Sequence, residues 1–124
     1  MSQEQKSSLR KWKYEYVEVI RVIDGDTVEL RIDLGNRCFW QEAFRLYGID
    51  TPEVRGETKG AGEAAANRLR QLLAEGVLLA ETLRPDKYGR TLVRLSTLHE
   101  GFPIDVATKL INENHGRYYY GGAK

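Results

Sequence analysis

Asp24-Gly25-Asp26-Thr27-Val28-Glu29-Leu30-Arg31-Ile32-Asp33-Leu34-Gly35-Asn36 is the stretch that decides the fold of this 124-residue chain. Val28, Leu30, Ile32 and Leu34 alternate with Glu29, Arg31 and Asp33. That period of two sends apolar side chains to one face and charged ones to the other, the pattern of a half-buried strand. Asp24-Gly25 before it and Gly35-Asn36 after it are turn signals. The flanking runs then read as its neighbours. Tyr14 to Ile23 is rich in β-branched and aromatic residues, and Cys38 to Tyr47 forms the strand that follows. Antiparallel pairing about a turn near Gly35 sets Asp26 opposite Arg45 to within one residue.

Outward from this hairpin, Arg55 to Gly62 reads as a Gly-rich polar loop. Glu63 to Glu75 reads as a helix with Ala65, Leu69, Leu72 and Leu73 on one face and Gly76 as its stop. Val77 to Leu83 and Arg90 to Thr97 are strands joined by the turn Pro85-Asp86-Lys87-Tyr88-Gly89. Pro103 is expected to open a short second helix carrying Ile104, Ala107, Leu110 and Ile111, closed near Gly116. The order of elements predicts a mainly β, α+β protein: a five-stranded OB-type Greek-key barrel with two helices. The chain is expected to comprise a flexible N-terminal tail over residues 1–13 and one domain over residues 14–124.

Composition is that of an ordinary globular domain, with 41% hydrophobic and 30% charged residues. A net charge of +1 excludes tight, sequence-blind nucleic-acid binding driven by bulk charge. The single cysteine, Cys38, excludes an internal disulfide and a cysteine-based zinc site, and is expected half-buried on its strand. His99 and His115 sit in no ligand-spaced motif and read as surface or cap residues. Met1 to Lys13 contains no apolar stretch of the secretory kind, and no run approaches the about 20 apolar residues of a membrane span. The expectation is a cytoplasmic monomer with no membrane partner, exported only if a signal has been removed.

The chemistry-bearing residues are Asp26, Arg45, Asp50, Glu53 and Arg90. Taken singly each has a plain reading. Asp-Gly is a common turn pair, Asp50 an ordinary loop residue, Arg45 an outward-facing residue paired with a carboxylate. Arg90 would be a solvated hairpin arginine and Glu53, stiffened by Pro52, a surface glutamate. Their convergence reads differently. Asp26 and Asp50 offer hard oxygen ligands suited to Ca²⁺. An arginine is out of place in a pure metal cage but in place where a phosphate bridges metal and guanidinium.

Three motifs in order, Val22-Ile23-Asp24-Gly25-Asp26-Thr27-Val28, Arg45-Leu46-Tyr47-Gly48-Ile49-Asp50-Thr51-Pro52-Glu53 and Asp86-Lys87-Tyr88-Gly89-Arg90, resemble those of the staphylococcal-nuclease (thermonuclease-like) family. The resemblance runs from about Val19 to Tyr120. It implies Asp26 and Asp50 as Ca²⁺ carboxylates with the Thr51 backbone carbonyl as a third protein ligand. It also implies Arg45 and Arg90 on phosphate, and Glu53 handling the attacking water. Lys87 and Tyr88 would touch a terminal phosphate, and Tyr118 or Tyr120 would line a base pocket. The implied activity is Ca²⁺-dependent hydrolysis of DNA or RNA, single strands preferred, leaving 3′-phosphate ends. The rival expectation is a non-catalytic OB module that binds nucleic acid or protein; such modules typically lose some of the five charged residues, all of which are present here.

Overall fold

The structure, a computed structural model, describes residues 12–120. Nine strands and two α-helices follow in chain order: β1 Trp12–Tyr14, β2 Val17–Asp24, β3 Thr27–Gly35, β4 Cys38–Leu46, β5 Gly48–Asp50, a 3₁₀ turn Gly56–Thr58, α1 Lys59–Leu73, β6 Val77–Pro85, β7 Thr91–His99, β8 Phe102–Asp105, α2 Val106–Asn112 and β9 Arg117–Tyr119. The mainly β, α+β class is as expected. The long strands lie in the order β6-β7-β4-β3-β2, with β1 added beside β6 and β8 beside β7. This is the Greek-key order of an OB-like mixed sheet. Its hydrogen-bonded path is open, ending at β1 and β2 instead of closing into a ring.

The alternation in β3 behaves as its sequence dictates. Val28, Leu30 and Ile32 are fully buried, whereas Leu34 is exposed because the β3–β4 hairpin runs past the core. Cys38, at the same distal end, is exposed and not half-buried, for the same reason. Phe44, Leu46, Ile49, Leu69, Leu95 and Leu110 complete the core from five other elements. Register between β3 and β4 pairs Thr27 with Arg45, and the Leu46 amide donates to the Asp26 carbonyl. The expected juxtaposition of Asp26 and Arg45 therefore holds to within one residue.

Several boundaries differ from the sequence reading, among them that β6 runs on to Pro85 and β7 spans Thr91–His99. Trp12 and Lys13 are not tail but part of β1, paired with Thr82 and Glu81 of β6; the rest of the expected tail, residues 1–11, lies outside the described residues. Helix α1 starts at Lys59, four residues before Glu63, and ends at Leu73. Its early turn carries Gly60 and Gly62, which lower helix propensity. Gly62 is nevertheless required, because a Cβ there would overlap the carbonyl of Glu53. Phe102–Asp105 is a strand, not the start of a helix, and Pro103 pairs with Leu98 at the edge of the sheet, where its missing N–H is tolerated. Glu100 and Gly101, both at positive φ (51° and 85°), form the two-residue turn that returns β8 onto β7. The second helix is accordingly short and begins after Asp105, whose side chain accepts from the Thr108 amide as an N-cap.

Two arrangements position the site. Gly48, at φ 86°, breaks the chain away from β4 into β5. Strand β9 then pairs with β5, placing Tyr119 opposite Gly48, Tyr118 opposite Ile49 and Arg117 opposite Asp50. Helix α1 packs on β2 and is tied to the end of α2 by a bidentate pair, Arg68 to Glu113, at 2.6 and 3.0 Å.

Candidate active site

Asp26 sits at the β2–β3 turn and is 6% exposed. Its Oδ2 accepts from the Thr51 amide at 3.0 Å and faces the Arg45 guanidinium at 3.2 Å, while Oδ1 accepts from the Thr27 hydroxyl at 3.0 Å. Gly25 makes this turn possible, since a Cβ there would come within 2.7 Å of the Ala65 side chain and 2.9 Å of the Thr51 hydroxyl. Asp24 does related work one step away: its Oδ1 accepts from the Val54 amide at 3.3 Å. Two aspartates of one turn thus fix the backbone of the Thr51–Val54 segment at both ends.

Arg45 is the centre of the cluster. The pleat of β4 sends it to the face opposite Phe44 and Leu46, so the outward direction read from sequence is right. That face is not open to solvent, because β5 and β9 cover it and leave Arg45 5% exposed. One guanidinium nitrogen meets Asp26; the other donates to the Ile49 carbonyl at 3.1 Å and lies 3.6 Å from Asp50. The guanidinium also lies over the Tyr119 ring, 5.4 Å from its centroid. A buried cation is thereby matched by two carboxylates, a carbonyl and a π face, as desolvation requires. Asp50 has a second cation on its other oxygen, Arg117 at 3.5 Å.

Arg90 arrives from the β6–β7 hairpin. Asp86 organises that turn: its Oδ1 accepts from the amides of Tyr88 and Arg90, at 2.8 and 2.9 Å, and its Oδ2 accepts from Arg90 Nε at 3.0 Å. Burial pushes the Asp86 carboxyl up, but the Arg90 and Tyr88 amides and the Arg90 charge outweigh it and hold it below the usual carboxylate range. A depressed folded-state pKa stabilises the fold above the unfolded value, about 3.9, and that gain is lost as pH falls through the folded value. Asp86→Asn is therefore expected to lower stability at pH 7 by about 1 kcal/mol. The gap to the native protein should narrow progressively as pH falls below about 4. Urea midpoints measured across pH check this; a gap independent of pH would show that the charge of Asp86 is irrelevant.

The cleft, ≈ 230 Å³, is lined among others by Arg45, Arg84, Lys87, Tyr88, Arg90 and Tyr120. Arg45 belongs both to this cleft and to the carboxylate cluster, and so joins them. Of the residues expected from sequence, Asp26, Asp50, Thr51 and Arg45 form one knot; Arg45, Arg90, Lys87, Tyr88 and Tyr120 share the cleft. Tyr118 does not line the cleft but stacks on Tyr120, with ring centroids 6.5 Å apart. Glu53 is exposed and does not line the cleft; its backbone carbonyl accepts from the Thr58 hydroxyl at 2.8 Å. The sequence reading did not single out Tyr47 or Tyr119. Tyr47 packs edge-on to Tyr120 with centroids 5.4 Å apart, and the Arg94 guanidinium lies over its ring, 5.3 Å from the centroid. Their signal is faint, because a tyrosine beside a glycine or within a tyrosine run reads as packing.

Among the described residues, no three His, Cys, Asp or Glu side chains group as a metal centre. Two carboxylates, Asp26 and Asp50, both hard oxygen donors, flank the Arg45 guanidinium. The neighbouring Thr51 hydroxyl is buried with no hydrogen-bond partner among the described residues. This donor set fits a hard cation only as a partial shell, since Ca²⁺ takes about six to eight oxygens. No helix among the described residues is long and apolar enough to cross a membrane.

A strand-end carboxylate pair bridged by a buried arginine thus lies beside a basic aromatic cleft on an OB-like sheet. The family described as staphylococcal nuclease homologue matches residues 43–120, well over half of the chain, and the chain belongs to that family. Protein ParB of Escherichia coli is similar over 75 residues at 36% identity, which covers 60% of this chain and 38% of that protein. The chain thus spans well under half the length of this relative.

Proposed function

We propose that the protein is a Ca²⁺-dependent phosphodiesterase that hydrolyses DNA or RNA, preferring single strands and leaving 3′-phosphate ends. The observation that carries this reading is the position of Arg45, buried between Asp26 and Asp50 yet lining the basic cleft. A guanidinium held by carboxylates and bordering a basic cleft suits a phosphodiester bound there. Arg90 would meet the same phosphoryl group from the opposite hairpin, and two guanidiniums oppose the charge that builds on its oxygens during attack. Asp26, Asp50 and the Thr51 backbone would hold the cation, which when bound supplies Lewis-acid stabilisation of that charge. Glu53 accepts the proton of the attacking water as its oxygen bonds to phosphorus. The bond from phosphorus to the 5′ oxygen breaks, and that oxygen leaves as a hydroxyl, taking its proton from solvent. Lys87 and Tyr88 suit a terminal phosphate, while Tyr118 and Tyr120 offer faces for base stacking, which single strands present and duplexes hide.

The test is digestion of a labelled single-stranded DNA and RNA in Ca²⁺ and in EGTA. Cleavage is expected only with Ca²⁺, and Glu53→Gln should lower it by about 10²–10³-fold with oligonucleotide binding retained. Binding without metal-dependent cleavage in the native protein would replace this reading with that of a non-catalytic OB module.

A further inference from the structure

Resting on the Ca²⁺ reading above, we infer that Arg117 is a built-in competitor for the cation at Asp50. Asp50 faces an arginine on each oxygen, Arg45 from one side and Arg117 from the other. The two are not equivalent. Arg45 is buried and bound also to Asp26 and the Ile49 carbonyl, so it cannot withdraw without stranding a buried carboxylate. The Arg117 side chain is 65% exposed, and its contact with Asp50 is an ion pair at 3.5 Å. Such a pair is worth little in water and is readily exchanged. A divalent cation approaching Asp50 therefore displaces Arg117 and leaves Arg45 in place for the substrate phosphate.

The exchange has a structural partner. Arg117 and Asp50 are opposite residues of the three-residue β5–β9 ladder. Gly116, just before it, lies so close to Ile49 and Asp50 that a Cβ would come within 3.0 Å of the Asp50 carbonyl. The competitor is thus held against its carboxylate by the backbone and is present at high local concentration in the cation-free protein. Arg117 sets the cation affinity of the site, lowering it when no substrate phosphate is there to add ligands.

The test is calorimetric titration with CaCl₂ of the native protein, Arg117→Gln and Arg117→Lys, each alone and with a nucleotide 3′,5′-bisphosphate. Arg117→Gln is expected to bind Ca²⁺ about three- to tenfold more tightly. Arg117→Lys, which keeps the charge, should stay within about twofold of native. The gain should shrink as NaCl rises from about 0.05 to about 0.5 M, because an exposed charge is screened. A purely structural role for Arg117 predicts the opposite sign: loosening β9 would weaken Ca²⁺ binding. Equal or weaker binding by Arg117→Gln overturns the competitor and leaves the Ca²⁺ reading standing. Absence of Ca²⁺ uptake by the native protein, even with the bisphosphate, overturns both.

Discussion

Replacing Arg45 by alanine is expected to lower phosphodiester cleavage by about a thousandfold, the scale of a charge-stabilising arginine in phosphoryl transfer, and to destabilise the fold by about 3–5 kcal/mol. The two losses have separate origins. The rate falls because the transition state loses a guanidinium that no neighbour can replace. Stability falls because Asp26, 6% exposed, loses the guanidinium that faces it, and Asp50 loses its Arg45 contact. Removing one member of a buried pair is far more damaging than never having had it. Arg45→Lys separates the effects. An ammonium restores the charge beside Asp26 and should recover much of the stability. It cannot span Asp26, Asp50 and the Ile49 carbonyl at once while presenting a fork to phosphate, so the rate should remain low. Denaturant titration and single-turnover cleavage measure the two quantities independently. An Arg45→Ala protein that is folded and cleaves at the native rate would remove Arg45 from the mechanism.

Gly62→Ala should be destabilising by about 2 kcal/mol, although helix propensity alone favours alanine over glycine by about 1 kcal/mol. The reason is contact, not conformation. A Cβ on Gly62 would overlap the Glu53 carbonyl and lie 2.7 Å from the Val54 amide nitrogen. These are backbone atoms and cannot swing aside. Either α1 moves off β2 or the Thr51–Val54 segment shifts against the hold of Asp24 and Asp26. The second movement carries Glu53 with it, so cleavage should fall by about a hundredfold, the cost of a displacement near 1 Å. Gly60→Ala is the control: nothing lies within 4 Å of its Cβ position, and helix propensity alone should make it neutral or slightly stabilising. If both substitutions behave alike, the packing of Gly62 on Glu53 has no energetic weight.

What could be read from the sequence was what repeats or converges. The alternation from Val28 to Ile32 gave β3, and the pairing about Gly35-Asn36 brought Asp26 to Arg45. Three motifs in order named the residues of the cluster and the cleft. What could not be read was short or bent by contact. Strands β5 and β9 have three residues each, too few for a period, yet they bury Arg45. Pro103 looks like a helix opener until the Glu100-Gly101 turn lays it on an edge strand. The start of α1 hides behind Gly60 and Gly62, which propensity penalises and packing on Glu53 demands. Exposure of Cys38 and Leu34 follows from how far a hairpin extends past the core, which no local pattern states.

Strand β4 touches β7 through only two parallel residue pairs, Arg45 with Leu92 and Leu46 with Val93. This brief seam joins two otherwise antiparallel meanders, and the cleft lies along it. Asp26, Arg45, Asp50 and Glu53 belong to the first meander and its exit; Lys87, Tyr88 and Arg90 belong to the second, and Tyr119 and Tyr120 come later still. A chain made from its N-terminus holds Asp26, Asp50 and Glu53 long before it holds the second arginine. Arg45 and Arg90 come together only when the halves dock, so the proposed phosphate clamp is withheld from a half-made molecule until its last strands are in place.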